Sequence, residues 1–174
     1  MNKQTTNKRL KTLALATLMS SVTLAAPAAF AGDKGKSKAT GQTAYPQESQ
    51  KSFLGPDNLF TGDVNVQMLF PNNDTAHYSG AYVTFAAGAR TNWHSHPAGQ
   101  HMVITSGTGL TGTRDGKIIE LKEGDALWCP PNIDHWHGAT ADTAMTHLVL
   151  TGSLKGENVT WKEKLTDKHY NGGK

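Results

Sequence analysis

The chain reads as an all-β protein, an antiparallel sandwich or barrel. Three observations predict this: short stretches in which apolar and polar residues alternate, Gly- and Pro-bearing turns at short intervals between them, and no convincing long amphipathic helix. Val64, Val66 and Met68 alternate with polar neighbours, as do Ala81, Val83 and Phe85, so each segment has one apolar face. Turns are predicted at Pro71-Asn72-Asn73, Ala87-Gly88, Ser106-Gly107-Thr108-Gly109, Asp115-Gly116, Glu123-Gly124 and Pro130-Pro131-Asn132. Between the later turns lie strand candidates over 102–105, 110–114, 117–121 and 125–129, with another over 145–150. The tail, around 159–170, has room for a helical turn or two, and the chain shows no internal repeat.

The ends read differently from the middle. Lys3, Lys8, Arg9 and Lys11 precede an apolar stretch from about Leu13 to Ala26, too short to span a bilayer comfortably, which closes on Ala29-Phe30-Ala31. That order, positive start, apolar core, small-x-small end, predicts a secretory signal peptide over 1–31, and hence an exported protein, periplasmic or secreted after cleavage. Of the 17 basic and 14 acidic residues, four basic ones and none of the acids lie in this leader, so the remainder carries 13 against 14 and a net charge of −1. The basic isoelectric point therefore belongs to the leader. Nothing in the remaining chain points to nucleic acid, or to a membrane once the leader is gone. Residues 32–54 are polar and read as a flexible tether, 55–170 as a single domain, and 171–174 as a disordered tail. Cys129 is the only cysteine, so no internal disulfide is available, and it reads as a small buried hydrophobe rather than a nucleophile.

Histidine placement carries the functional reading. On a strand, residues i and i+2 share a face, so His94 and His96 are expected to point together, and His135 and His137 repeat the spacing. Gln100 follows the bend at Pro97-Ala98-Gly99, where its side-chain carbonyl is placed to close a third corner. His147 lies on the last core strand beside Leu148, Val149 and Leu150. Two His-x-His pairs in one all-β chain point to a metal site, since imidazole is the commonest protein metal ligand. His77 and His169 are expected at the surface, and His101, of opposite parity to Gln100, is expected to face away from the site. Trp93, Trp128 and Trp136 are read as core aromatics.

The spacing Gly88, five residues, His94-Ser95-His96, three residues, Gln100, six residues, Gly107 resembles the first cupin motif, with Gln100 replacing its usual glutamate. Gly124, five residues, Pro130-Pro131-Asn132, two residues, His135 resembles the second, with Asn132 and Ala139 as departures. RTNWHSHPAGQ, GDALWCPP, DHWHGATADTAMTHLVL and VTWKEKLTDKHY are similar to the small bacterial cupins that include the manganese-dependent hydroxynitrile lyases, a likeness covering roughly 55–170. The resemblance implies a double-stranded β-helix, a jelly-roll barrel, holding one divalent metal ion: manganese first, with iron, zinc, copper and nickel as alternatives. It implies metal ligands at His94, His96, Gln100 and His135, and catalytic histidines at His137 and His147. It also implies pocket walls at Ala81 and Val83, with Met102 beside them and Thr151 at the rim, and pairing of barrels as homodimers. His101 departs from the small or apolar residue that relatives tend to carry after the position of Gln100.

Three neutral imidazoles and a neutral amide leave a divalent ion with nearly its full charge. Such a site favours oxyanions and alkoxides and acidifies a bound hydroxyl. For a cyanohydrin substrate, His137 or His147 then takes the hydroxyl proton and the carbon–carbon bond breaks to a carbonyl and cyanide. The expected function is thus a metal-dependent carbon–carbon lyase of the hydroxynitrile type acting on a small molecule. A cupin dioxygenase or oxidase and a non-catalytic binding cupin stand as alternatives.

Overall fold

The computed structural model describes residues 41–172. The expected leader at 1–31, the part of the expected tether at 32–40 and residues 173–174 of the expected tail lie outside the described residues. In chain order the strands are β1 (Ser52–Leu54), β2 (Phe60–Thr61), β3 (Val64–Phe70), β4 (Tyr78–Phe85), β5 (Arg90–Thr91) and β6 (His94–Ser95). They continue with β7 (Gln100–Thr113), β8 (Ile118–Lys122), β9 (Ala126–Cys129), β10 (His135–Ala139), β11 (Met145–Gly152) and β12 (Thr160–Trp161), followed by one helical turn, α1 (Asp167–Tyr170). No helix among the described residues is long and apolar enough to cross a membrane.

The strands form two curled antiparallel layers. One runs β1-β3-β4-β11-β7 with β9 beyond β7. The other runs β8-β7-β10-β5-β2, with β6 on β10 and β12 on β6. This is a jelly-roll barrel, and β7 belongs to both layers. Its first half, from Gln100 to Gly107, pairs with β11, and its second half, from Thr108 to Thr113, pairs with β8 and β10.

That continuity corrects the expected turn at Ser106-Gly107-Thr108-Gly109. The chain bends there without reversing, so the expected strands at 102–105 and 110–114 are one 14-residue strand. Gly107 takes φ +77° and the ladder to β11 slips between Thr146 and His147, which lets the strand turn from one sheet to the other. Composition signals a kink and a reversal alike; only the partners on either side distinguish them.

Period-two alternation sets which side chains enter the barrel. On β11, Met145, His147, Val149 and Thr151 are buried and their neighbours only partly so. Across the ladder His147 lies between Val83 and Ile104, Val149 between Ala81 and Met102, and Thr151 between Ser79 and Gln100. The main core gathers these apolar residues around Phe85, which is wholly buried and contributes about 2–3 kcal/mol on a transfer scale. β10 is buried on both faces. His135, His137 and Ala139 share one face, and Trp136 on the other joins Trp93, Leu165 and Tyr170 in a second cluster.

The tail explains that second cluster. The Thr166 hydroxyl caps α1 by accepting from the His169 amide at 3.2 Å, and the single turn presents Tyr170, whose hydroxyl donates to the Ala139 carbonyl at 2.8 Å. The Arg90 guanidinium lies 4.6 Å over the Tyr170 ring and pairs with Asp167. Trp128 departs from the core reading: it is 45 % exposed because the parity of β9 turns it outward, where it stacks on His101 at 4.4 Å. His77, His101 and His169 are exposed, as the sequence predicts.

Gly107 and Gly116 give a controlled test of the shared strand. A Cβ on Gly107 would sit 1.9 Å from the Ala144 carbonyl oxygen, whereas one on Gly116, at φ +82°, meets nothing within 4 Å. Gly116→Ala is expected to lose only the left-handed backbone term, roughly 1–2 kcal/mol, and Gly107→Ala clearly more. Urea unfolding midpoints of the two variants check this; equal losses would contradict the strand-crossing role of Gly107.

Candidate metal centre

Five buried histidines meet inside the barrel, between 0 and 6 % exposed. β6 and β10 bring the first two together, because His94 and His135 are register partners with ring centroids 4.3 Å apart. His96, just beyond β6, lies 5.1 Å from His94 and 5.4 Å from His135 by ring centroid, and His137 lies 5.0 Å from His94. Gln100 opens β7 opposite Thr151 on β11 and is itself buried.

The hydrogen bonds of His94, His96, His135 and Gln100 run outward from the cluster. His94 Nδ1 lies 3.0 Å from the Asn92 carbonyl, His96 Nδ1 2.5 Å from that of Asn158, and His135 Nδ1 2.9 Å from that of Ile133. A carbonyl only accepts, so each Nδ1 carries the hydrogen and each Nε2 keeps its lone pair. The Gln100 amide nitrogen donates to Thr151 Oγ1 at 3.0 Å, which leaves its Oε1 as an acceptor. His96 Nε2, His135 Nε2 and Gln100 Oε1 are buried without a hydrogen-bond partner. Orphaned acceptors at a buried site are costly unless a cation or donor meets them. A set of oriented imidazole and amide lone pairs, each held from behind by a backbone or hydroxyl group, fits a divalent metal ion and the outer-shell support such ions use.

The ligating atoms of His94, His135 and His137 lie within 4.8 Å of one another. This group contains His137 where the sequence reading has His96. His94 and His135 are common to both sets. His137 differs in that its Nδ1 is engaged by another side chain, His147 Nε2, at 3.2 Å, while its backbone amide donates to Thr91 Oγ1 at 3.1 Å. His147 is fully buried, and Phe85 packs against both rings, at 5.8 Å from His137 and 5.5 Å from His147.

Burial holds all five imidazoles in the neutral, ligating form. Desolvation is the largest cause at each, pushing His94 and His137 well below the ordinary histidine value, His96 down to about 4 and His147 to about 3. Neighbouring rings lower His94 and His137 further, because two adjacent imidazolium charges repel. His135 is lowered by burial too, opposed by its bond to Ile133 and by the charge of Asp134. The Cys129 thiol lies 3.1 Å from His135 Nδ1, a neighbour the sequence does not reveal, yet burial pushes it up to about 11 and keeps it protonated.

The expected wall residues Ala81, Val83 and Met102 are buried on the face that carries His147. Thr151, expected at the rim, is buried and accepts from the Gln100 amide. Trp161 packs 4.9 Å from the His94 ring, a contact sequence spacing does not signal. Neither do the carbonyls of Asn92, Ile133 and Asn158, since any residue type supplies a carbonyl. The surface clefts beside Arg90 and beside Arg114 are lined by none of the five histidines.

Comparison with known proteins agrees with this architecture. The cupin domain model matches residues 81–151. An (R)-mandelonitrile lyase from Granulicella tundricola is 46 % identical over 122 residues, covering 70 % of this chain and 93 % of the relative. Among solved structures, a cupin-like protein from Thermotoga maritima aligns with a TM-score of 0.64 at 35 % identity, over 68 % of this chain and 90 % of that one. The polyketide cyclase RemF from Streptomyces resistomycificus aligns with a TM-score of 0.58 at 15 % identity, over 75 % and 92 %, and shares the fold. The chain belongs to the cupin family, among members that include hydroxynitrile lyase-like proteins.

Proposed function

We propose that this cupin is a metal-dependent lyase that cleaves cyanohydrins, with His94, His96, Gln100 and His135 as ligands and the pair His137–His147 as acid–base machinery. The observation that carries the reading is that His96 Nε2, Gln100 Oε1 and His135 Nε2 are all buried without a hydrogen-bond partner, beside the group of His94, His135 and His137, which contains no carboxylate. Likeness to a mandelonitrile lyase over nearly that protein's whole length supports the substrate class. Manganese is the ion the sequence resemblance implies, and the leader-like segment 1–31 supports export before the site forms.

When bound, a divalent ion supplies Lewis acidity that lowers the pKa of a hydroxyl beside it. The residues do the rest. We assign His137 as the donor in the 3.2 Å contact between its Nδ1 and His147 Nε2, so that His137 Nε2 holds a lone pair for the hydroxyl proton. As the carbon–carbon bond breaks, its electron pair leaves with cyanide and the carbonyl forms. The imidazolium of His137, steadied by the His147 acceptor, then returns the proton to cyanide. Ala81, Val83 and Met102 give the substituent an apolar wall and exclude water.

Benzaldehyde release from mandelonitrile by the manganese-reconstituted chain is expected, and is expected to vanish in His94→Ala. Oxygen uptake with no cyanohydrin cleavage would instead favour an oxidase. His137→Gln is expected to lower kcat by about 10²–10⁴-fold with little change in bound metal, and His147→Gln by less, since it acts through His137. Metal loss in His137→Gln would reassign that residue as a ligand.

The neutral histidines also set a pH response. Below about 6.5 the unfolded chain binds protons that native His96 and His147, at about 4 and about 3, do not. Stability is therefore fully present above about pH 6.5 and declines as pH falls toward those values, by up to about 1.4 kcal/mol per unit for each histidine. Melting temperatures of the metal-free protein should be flat above about pH 7 and drop by about pH 5; a flat profile throughout would refute buried neutral imidazoles.

A further inference from the structure

We infer that the segment 154–163 is a clasp that sets how tightly the site holds a divalent ion, with Trp161 and Lys162 as positioning residues. The inference rests on the ligand assignment above and goes beyond it, because none of these residues offers a ligand atom to the site.

The segment reaches three of the four candidate ligands by three different contacts. Lys155 and Gly156, at φ +54° and +90°, form a two-residue reversal closed by paired backbone bonds between Leu154 and Glu157 of 2.8 and 3.0 Å. The reversal delivers the Asn158 carbonyl to His96 Nδ1. β12 then pairs with β6 so that Trp161 is the register partner of His94, and its ring lies between His94 at 4.9 Å and Phe60 at 5.5 Å. Next, Lys162 pairs with Asp134, the residue before His135, whose charge acts on that imidazole. Glu163 completes the attachment: it accepts from Arg114 Nη1 at 2.6 Å, and Arg114 Nε donates to the other oxygen of Asp134 at 3.1 Å while lying 4.0 Å over Trp93. Backbone bonds of 3.1 Å from Trp93 to Glu163 and 2.8 Å from Lys162 to Trp93 hold the strand in register.

Each contact restrains a ligand side chain without occupying its lone pair. His96 is fixed in tautomer, His94 in ring orientation, and the chain entering His135 in position. A metal site so supported loses affinity when the support is removed, because the free ligands must then be ordered by the ion itself.

The test is titration of Mn²⁺ and of Zn²⁺ into the metal-free full chain, wild type beside His94→Ala, Trp161→Ala, Trp161→Phe, Lys162→Ala and Lys162→Arg, with melting of each metal-free variant recorded. Lys162→Ala is expected to bind about tenfold more weakly with metal-free melting unchanged, and Trp161→Ala to bind more weakly with lowered melting because its ring packs on Phe60; Trp161→Phe and Lys162→Arg are expected to recover most of the loss in affinity. Wild-type affinity in both alanine variants, with His94→Ala unable to bind, would overturn the clasp and leave the site standing. Weakened affinity that appears only with lowered metal-free melting, or that the conservative variants fail to recover, would make the segment merely structural and overturn it too. Equal binding by wild type and His94→Ala, or no binding of either ion by wild type, would remove the ligand assignment and the clasp together.

Discussion

The architecture depends on one arrangement: imidazoles buried in the neutral form, three of which, His94, His96 and His135, give their Nδ1 hydrogen outward to a backbone carbonyl. Burial alone disfavours five neighbouring histidines, and protonating any one of them inside the barrel is worse. Donation to Asn92, Asn158 and Ile133 resolves half of each ring's demand and decides its tautomer. The other half remains as lone pairs turned inward. A ligand set is therefore a consequence of where three carbonyls lie, and those carbonyls lie where β6, β10 and the segment before β12 place them.

β7 links this site to the opposite sheet. Its first residue is Gln100, tied to Thr151 on β11, and its later residues pair with the strand that carries His135 and His137. One continuous strand thus fixes the distance between the glutamine and the two histidines of β10, and the bend at Gly107 determines the angle between the layers. His147 arrives from β11 with the opposite layer and meets His137 across the interior. The His137–His147 pair accordingly spans the two sheets, whereas His94, His96 and His135 belong to one side.

The difference between a neutral and a charged shell is chemical. In the proposed ligand set, with glutamine in place of a carboxylate, no ligand would offset the charge of a divalent ion, which would favour a substrate oxygen that becomes anionic. The same neutrality leaves the shell with weaker intrinsic hold on the ion. Outer support from Trp161, Asp134 and Lys162 is physically suited to compensate, since orienting a ligand in advance reduces the entropy lost on binding.

Period two made much of this legible from residues alone. The alternation at Val64–Met68 and Ala81–Phe85 marks strands without reference to partners, and the same parity pairs His94 with His96, His135 with His137, and turns His101 outward. What sequence does not encode locally is pairing across space. The expected turn at 106–109 is a bend because β11 and β10 flank it on successive stretches, and Trp128 is exposed because β9 is an edge with its outer face to solvent. The grouping of His137 with His94 and His135 and the service of Thr151 to Gln100 follow from register between distant strands. So does the approach of Trp161 to His94. By itself the sequence determined which side chains share a face and which chemistry they offer; only the tertiary structure decided which faces meet, because register and backbone carbonyl positions are set by the whole barrel closing on itself.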